Sequence, residues 1–134
     1  MKVKIKRLLP NIKLPNYFDS TSELCFYTIE TMTIENLTTD LIRTGVAVKV
    51  PEGYVLNLYP NPRISTNFPN YFANGTELIF PDNNNEIVIV FRNNTFNKTL
   101  NIPAYTPIAR GILTKFEKVE FEEVDELIED DTNT

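Results

Sequence analysis

The sequence predicts an all-β domain, and three observations carry that expectation. Apolar and polar residues alternate in short runs, with almost no helical periodicity. Turn-forming clusters rich in Pro, Asn and Gly separate these runs. Nine prolines against four glycines make the connections stiff. Short strands punctuated in this way indicate a sandwich or barrel.

The elements follow in chain order. "KVKIKRLL" (2–9) alternates and predicts a first strand, with Lys2, Lys4, Lys6 and Arg7 as its solvent side and Val3 and Ile5 opposite. After the turn "LPNY", the Thr-rich "YTIETMTIE" (27–35) supplies β-branched residues that favour a pleated surface. "TGVAVKV" (44–50) and "GYVLNLYP" (53–60) are joined by the Pro-Glu-Gly turn, and the second runs into "YPNP". Beyond "FPNYFANG" and "PDNNN" comes "EIVIVFR" (86–92), then the turns "RNNTFN" and "IPAYTP". "FEKVEF" (116–121) alternates again, and "VDELIED" (124–130) has room for one helical turn. The final "DDTNT" is polar and acidic, as a frayed terminus would be.

Composition narrows the functions. A chain of 134 residues suits one domain with a real core, and six Tyr and nine Phe can fill it without Trp. A formal charge of -5 argues against a general grip on nucleic acid, which requires a basic face to displace counterions. With no His and a single Cys25, neither an intrachain disulfide nor a zinc site of the usual nitrogen and sulfur kind is expected. Cys25, in an otherwise apolar alternation, reads as a small buried hydrophobe. The charged start, interrupted by Pro10 and Pro15, lacks the form of a secretion signal. The longest apolar run, "IVIVF" (87–91), is too short for a membrane helix. A soluble protein made in a reducing, cytoplasmic setting is therefore expected, with no membrane partner. The four Asn-x-Thr sequons at Asn36, Asn74, Asn93 and Asn97 read as chance.

Taken in order, "VKIKRLLPN", "LPNY", "TGVAVKVPEGYVLNLYPNPRIS", "EIVIVFRN", "PIARGIL" and "EKVEFEEVDEL" resemble the trimeric dUTPase family. The match runs over nearly the whole chain, giving one dUTPase-like β domain (1–127) and a short acidic tail (128–134). The resemblance implies a β-barrel, jelly-roll-type (β-clip) subunit that assembles as a homotrimer with active sites between subunits. It also implies release of pyrophosphate from dUTP with magnesium, and a carboxylate to orient the attacking water.

The family's motifs are poorly kept in this chain. The first-motif Asp falls on Phe26. The second motif falls on Pro62, Arg63, Ile64, Ser65 and Thr66, keeping the arginine but placing Ile64 where a serine belongs. In the third, the catalytic Asp falls on Phe80, the sugar-stacking Tyr on Asn83 and the Gly on Asn85. Asp82 stands two residues downstream, roughly 6–7 Å away along an extended strand. The fourth motif falls on Tyr105 to Arg110 and keeps only Ile108 and Ala109. No glycine-rich fifth motif follows Gly111.

These losses lead to the expectation of a non-enzymatic, cofactor-free trimer. It would serve as a structural or assembly element, such as a phage or viral head accessory protein that decorates a capsid and resides in the virion. Phe26 and Phe80 would then be buried plugs of a former cleft. The alternative is a divergent dUTPase-like nucleotide-binding protein or nucleotide pyrophosphatase. It would use magnesium, with Arg63, Ser65 and Arg110 touching the substrate. A second alternative is an inhibitor or regulator that presents the acidic segment "EKVEFEEVDELIEDD" to a host partner.

Overall fold

A computed structural model describes residues 1–61, 71–72 (backbone only) and 76–128. Twelve strands form among the described residues, and no helix does. β1 (Lys4–Arg7) pairs with β6 (Val46–Lys49). β5 (Thr39–Arg43), β10 (Val88–Arg92) and β8 (Tyr71–Phe72) form a second sheet, and β4 (Met32–Ile34) pairs with β11 (Leu100–Ile102). The largest sheet has the order β2 (Asn16–Tyr17), β3 (Leu24–Tyr27), β12 (Pro107–Lys115), β7 (Tyr54–Pro60), β9 (Glu77–Ile79). All these ladders are antiparallel. The all-β class expected from alternation and turn spacing is the observed one.

The core follows the period of two. On β10, Ile89 and Phe91 are buried while Val88 and Val90 are partly exposed, and Ile87 precedes them inside. Ile34, Ile42, Val46, Leu56, Leu58, Leu100, Ile102 and Ile108 join them in one cluster. Gly111, in the middle of β12, marks a place of close packing. A Cβ there would lie 2.9 Å from Phe26 Cε1 and 3.3 Å from both Leu56 Cδ1 and Leu58 Cδ2. Among the described residues no helix is long and apolar enough to cross a membrane.

Three expectations change. β12 is the longest strand, yet the alternation analysis did not single it out as one. Pro107 at its start, Arg110 outside and Gly111 inside break the β-branched pattern, and tertiary pairing with β3 and β7 overrides that weak local signal. "FEKVEF" is not a strand: regular pairing stops at Lys115, Phe121 is 93% exposed, and no strand among the described residues pairs with it. The helical turn in "VDELIED" is absent from its described part, which shows only a bend at 125–126, since one turn cannot repay the cost of helix nucleation. The Asn93 sequon has a structural use. Its buried side chain donates to Ile34 O (3.0 Å) and Lys98 O (2.8 Å) and accepts from the Thr95 N–H (3.0 Å).

Candidate functional site

The connection between β9 and β10 is a short reversing loop, Phe80 to Glu86, that carries the chain from one sheet to another and is held at several points. The Asn83 N–H donates to Phe80 O (3.0 Å), closing a β-turn with Pro81 and Asp82 at its centre. The Asn83 side-chain oxygen then accepts the Asn85 N–H (3.1 Å), the local bond that makes asparagine suited to turns. Lys49 Nζ, at the end of β6, donates to Pro81 O (2.7 Å).

At the far end, the Glu86 carboxylate receives the Arg43 guanidinium as a fork. Arg43 Nε lies 2.9 Å from Oε2 and 3.1 Å from Oε1, and Nη2 lies 3.0 Å from Oε1. The Gly45 N–H donates to the same carboxylate (3.0 Å). The hydrogen bond and charge of Glu86 push the Arg43 pKa above its usual value, so the guanidinium stays charged through the physiological range. Gly45 has φ +74°, and a Cβ there would come within 2.7 Å of Ile12 Cδ1, so the backbone approach to Glu86 requires glycine.

Three elements enclose a cleft of about 340 Å³ on one flank of this loop. The Pro51–Tyr54 turn, closed by the Tyr54 N–H to Pro51 O bond (3.1 Å), brings Glu52. The loop contributes Phe80, Pro81 and Asp82. The chain leaving β12 adds Phe116, whose N–H donates to Gly53 O (3.0 Å), and Lys118. Phe80 and Phe116 meet edge to face, with centroids 5.4 Å apart and planes at 74°. The arrangement is an aromatic wall with two carboxylates and one amine around it. It can stack a flat ring, and it holds carboxylates that can accept a proton from water.

The positions singled out in the sequence are scattered. Phe26 is 1% exposed on β3, packed under Gly111, and so is a core residue as expected. Phe80 is 38% exposed, which corrects the expectation of a buried plug: it sits at a turn, where one ring face packs on Phe116 and the rest meets solvent. The two rings line different cavities. Asn83 and Asn85 are turn residues bonded to each other. Asp82 is the third residue of the turn that Phe80 opens. Arg110 is exposed on β12, opposite Cys25 and Tyr59, and lines neither cavity beside the loop. Arg63, Ile64 and Ser65 lie outside the described residues. Cys25 is buried, and its sulfur accepts a bond from Asn61 Nδ2 (3.7 Å).

Sequence reasoning missed the Arg43–Glu86 clamp and the anchoring role of Lys49. Glu86 read only as the first residue of "EIVIVFR", although a lone carboxylate directly before a buried apolar run was a usable signal. No group of three or more His, Cys, Asp or Glu among the described residues could hold a metal ion.

No protein-family model matches the chain. The deoxyuridine 5'-triphosphate nucleotidohydrolase of Finegoldia magna is 35% identical over 136 residues, covering 99% of this chain and 94% of the relative. The protein of the same name from Helicobacter pylori is 26% identical over 130 residues, covering 96% and 89%. Among solved structures, a mutant dUTPase from phage phi11 of S. aureus superposes with a TM-score of 0.85 at 19% identity, covering 94% of this chain and 98% of that one. That study concerns the coordination of a structural Mg(II) ion. The dUTPase of Staphylococcus bacteriophage 80alpha gives 0.84 at 20% identity, covering 96% and 99%. At these identities the structures show the shared fold.

The relatives overturn two expectations. A non-enzymatic, capsid-decorating protein was inferred from substitutions at individual motif positions. Relatives matched along nearly their whole length are instead named as nucleotide hydrolases. Position-by-position loss was the weaker guide, because it assumed that each catalytic group must keep its place in the chain.

Proposed function

The chain belongs to the deoxyuridine 5'-triphosphate nucleotidohydrolase family, and from that premise we propose that it hydrolyses a deoxyuridine-type nucleoside triphosphate, releasing pyrophosphate. The observation that carries this reading is the 35% identity to a named hydrolase over 99% of the chain. The aromatic cleft beside the loop is the candidate site.

Within it, Asp82 is the candidate water-orienting carboxylate. It stands at the tip of the turn that begins at Phe80, and Glu52 faces the same cleft. Phe80 and Phe116 supply a wall for the flat part of the nucleotide. The Arg43–Glu86 fork fixes the base of the loop, so Asp82 is carried on a constrained support.

Magnesium enters this reading as an ion that arrives on the triphosphate. Glu52 and Asp82 bring two carboxylates to one cleft, a number that suits Mg²⁺ when phosphate oxygens and water complete its shell. When bound, it neutralises phosphate charge. A homotrimer belongs to the same proposal. The segment 117–128 carries Val119, Phe121, Leu127 and Ile128 at 73%, 93%, 97% and 77% exposure, apolar surface that another copy would cover.

The test is release of pyrophosphate from dUTP by the full chain in magnesium buffer. Turnover above the uncatalysed rate supports the reading. A folded protein that releases none contradicts it.

A further inference from the structure

We propose that Lys49 is a positioning residue for Asp82: its bond to Pro81 O locks the peptide leading into Asp82 in one of two orientations. This rests on the reading that Asp82 orients the attacking water. The loop Phe80–Glu86 leaves the sheet of β9 and enters the sheet of β10, so no ladder holds its middle. Inside the loop, the Asn83 N–H donates to Phe80 O (3.0 Å), and the Asn83 side chain accepts from the Asn85 N–H (3.1 Å). Among the described residues, the stretch 81–85 takes one hydrogen bond from outside the loop, from Lys49 Nζ to Pro81 O at 2.7 Å.

That bond falls on the joint that aims Asp82. Pro81 and Asp82 are the two central residues of the turn from Phe80 to Asn83. The proline ring fixes φ of Pro81 and leaves ψ as its free backbone angle. Type I and type II turns differ at this place: the central peptide turns over, and type II requires a positive φ at the third residue. Asp82 has no positive φ, so the Pro81–Asp82 peptide stands as in type I. Because the peptide is planar, holding the Pro81 carbonyl also sets the direction of the Asp82 N–H and Cα. Turning the peptide over carries Pro81 O away from Lys49 and re-aims the Asp82 carboxylate. Aspartate enters the left-handed region more readily than most residues, so the second orientation is open to this turn.

Lys49 is well placed to hold the first. Its neighbours Val48 and Val50 are buried, which anchors its backbone. Lys4 stands directly opposite it across the β1–β6 ladder, and like charges so placed repel. The ammonium therefore gains by leaving the ladder for the Pro81 carbonyl, a charge-assisted bond. The Arg43–Glu86 fork grips the far end of the loop and leaves the Pro81–Asp82 peptide free to turn, so the two tethers act on different joints.

The experiment compares the unaltered full chain with Lys49→Met, Lys49→Arg and, as a control for lost surface charge, Lys4→Met. Nuclear magnetic resonance follows the Pro81 carbonyl and Asp82 amide signals, and dUTP turnover is measured alongside. Lys49→Met should move or split both signals while amide protection in the β12–β7 ladder stays as it was. Its kcat should fall about tenfold with KM nearly unchanged, as for a misplaced catalytic group. Lys49→Arg, which keeps a cationic donor, should restore both readouts, and Lys4→Met should alter neither. Unmoved Pro81 and Asp82 signals in Lys49→Met overturn the proposal. So does full kcat in that variant, or an equal loss in Lys4→Met, which would assign the effect to charge rather than to the bond. A chain that releases no pyrophosphate, yet shows both signals shift on loss of Lys49, keeps the peptide lock and removes the hydrolase reading.

Discussion

At the scale of single residues, Asp82 carries the heaviest expectation. It is exposed at the tip of a closed turn, within the cleft that Phe80 and Phe116 wall. Asp82→Asn keeps the size and the turn chemistry of the side chain but removes the proton acceptor. Steady-state kinetics should show kcat lowered by about 10²–10⁴-fold with the melting temperature nearly unchanged. The two phenylalanines provide a contrast in burial. Phe26 is 1% exposed and Phe80 38%. Phe26→Ala should cost about 3–5 kcal/mol in denaturant unfolding, as for other buried aromatic truncations, and Phe80→Ala clearly less. Equal costs would mean that the surface position of Phe80 had been misjudged.

At the scale of elements, the loop from β9 to β10 depends on its clamp. Glu86 takes three hydrogen bonds from Arg43 and one from the Gly45 backbone. Glu86→Gln removes the charge and leaves Arg43 without its partner. Amide exchange of the loop backbone should then quicken, while that of the β12–β7 ladder stays as it was. The Glu86 hydrogen bond and charge raise the Arg43 pKa above its usual value, so what the guanidinium contributes is present through the physiological range and is lost only as pH rises through the folded value.

The same scale shows how much the sequence could say. β10 was legible because buried and partly exposed residues alternate along it, as at Ile89 and Phe91 against Val88 and Val90. β12 was not, because Gly111 is required by contact with Phe26, a constraint from a strand more than eighty residues earlier in the chain. For the site, "PEGY" and "PDNNN" were visible as turns. Their convergence with Phe116 into one cleft depends on sheet pairing, which local pattern does not encode.

At the scale of the whole molecule, the described chain leaves a large apolar surface outside its core. Tyr17, Leu41, Leu78 and Ile112 are at least half exposed, in addition to the apolar side chains of the 117–128 segment. A chain with a formal charge of -5 that shows so much apolar surface alone is expected to bury it between copies. Light scattering coupled to gel filtration should give three times the 15.4 kDa chain mass, and a monomer in moderate salt would contradict the trimer.

The chain belongs to the deoxyuridine 5'-triphosphate nucleotidohydrolase family, although Phe80 and Asn83 stand where the resemblance puts an aspartate and a tyrosine, and its own hydrolysis is the central proposal. Pyrophosphate release from dUTP with magnesium, followed at protein concentrations where the oligomer is intact, tests that proposal most directly. Steady release by the unaltered chain, abolished in Asp82→Asn, is the expected result. A folded oligomer that leaves dUTP intact, or an Asp82→Asn variant as active as its parent, would contradict it.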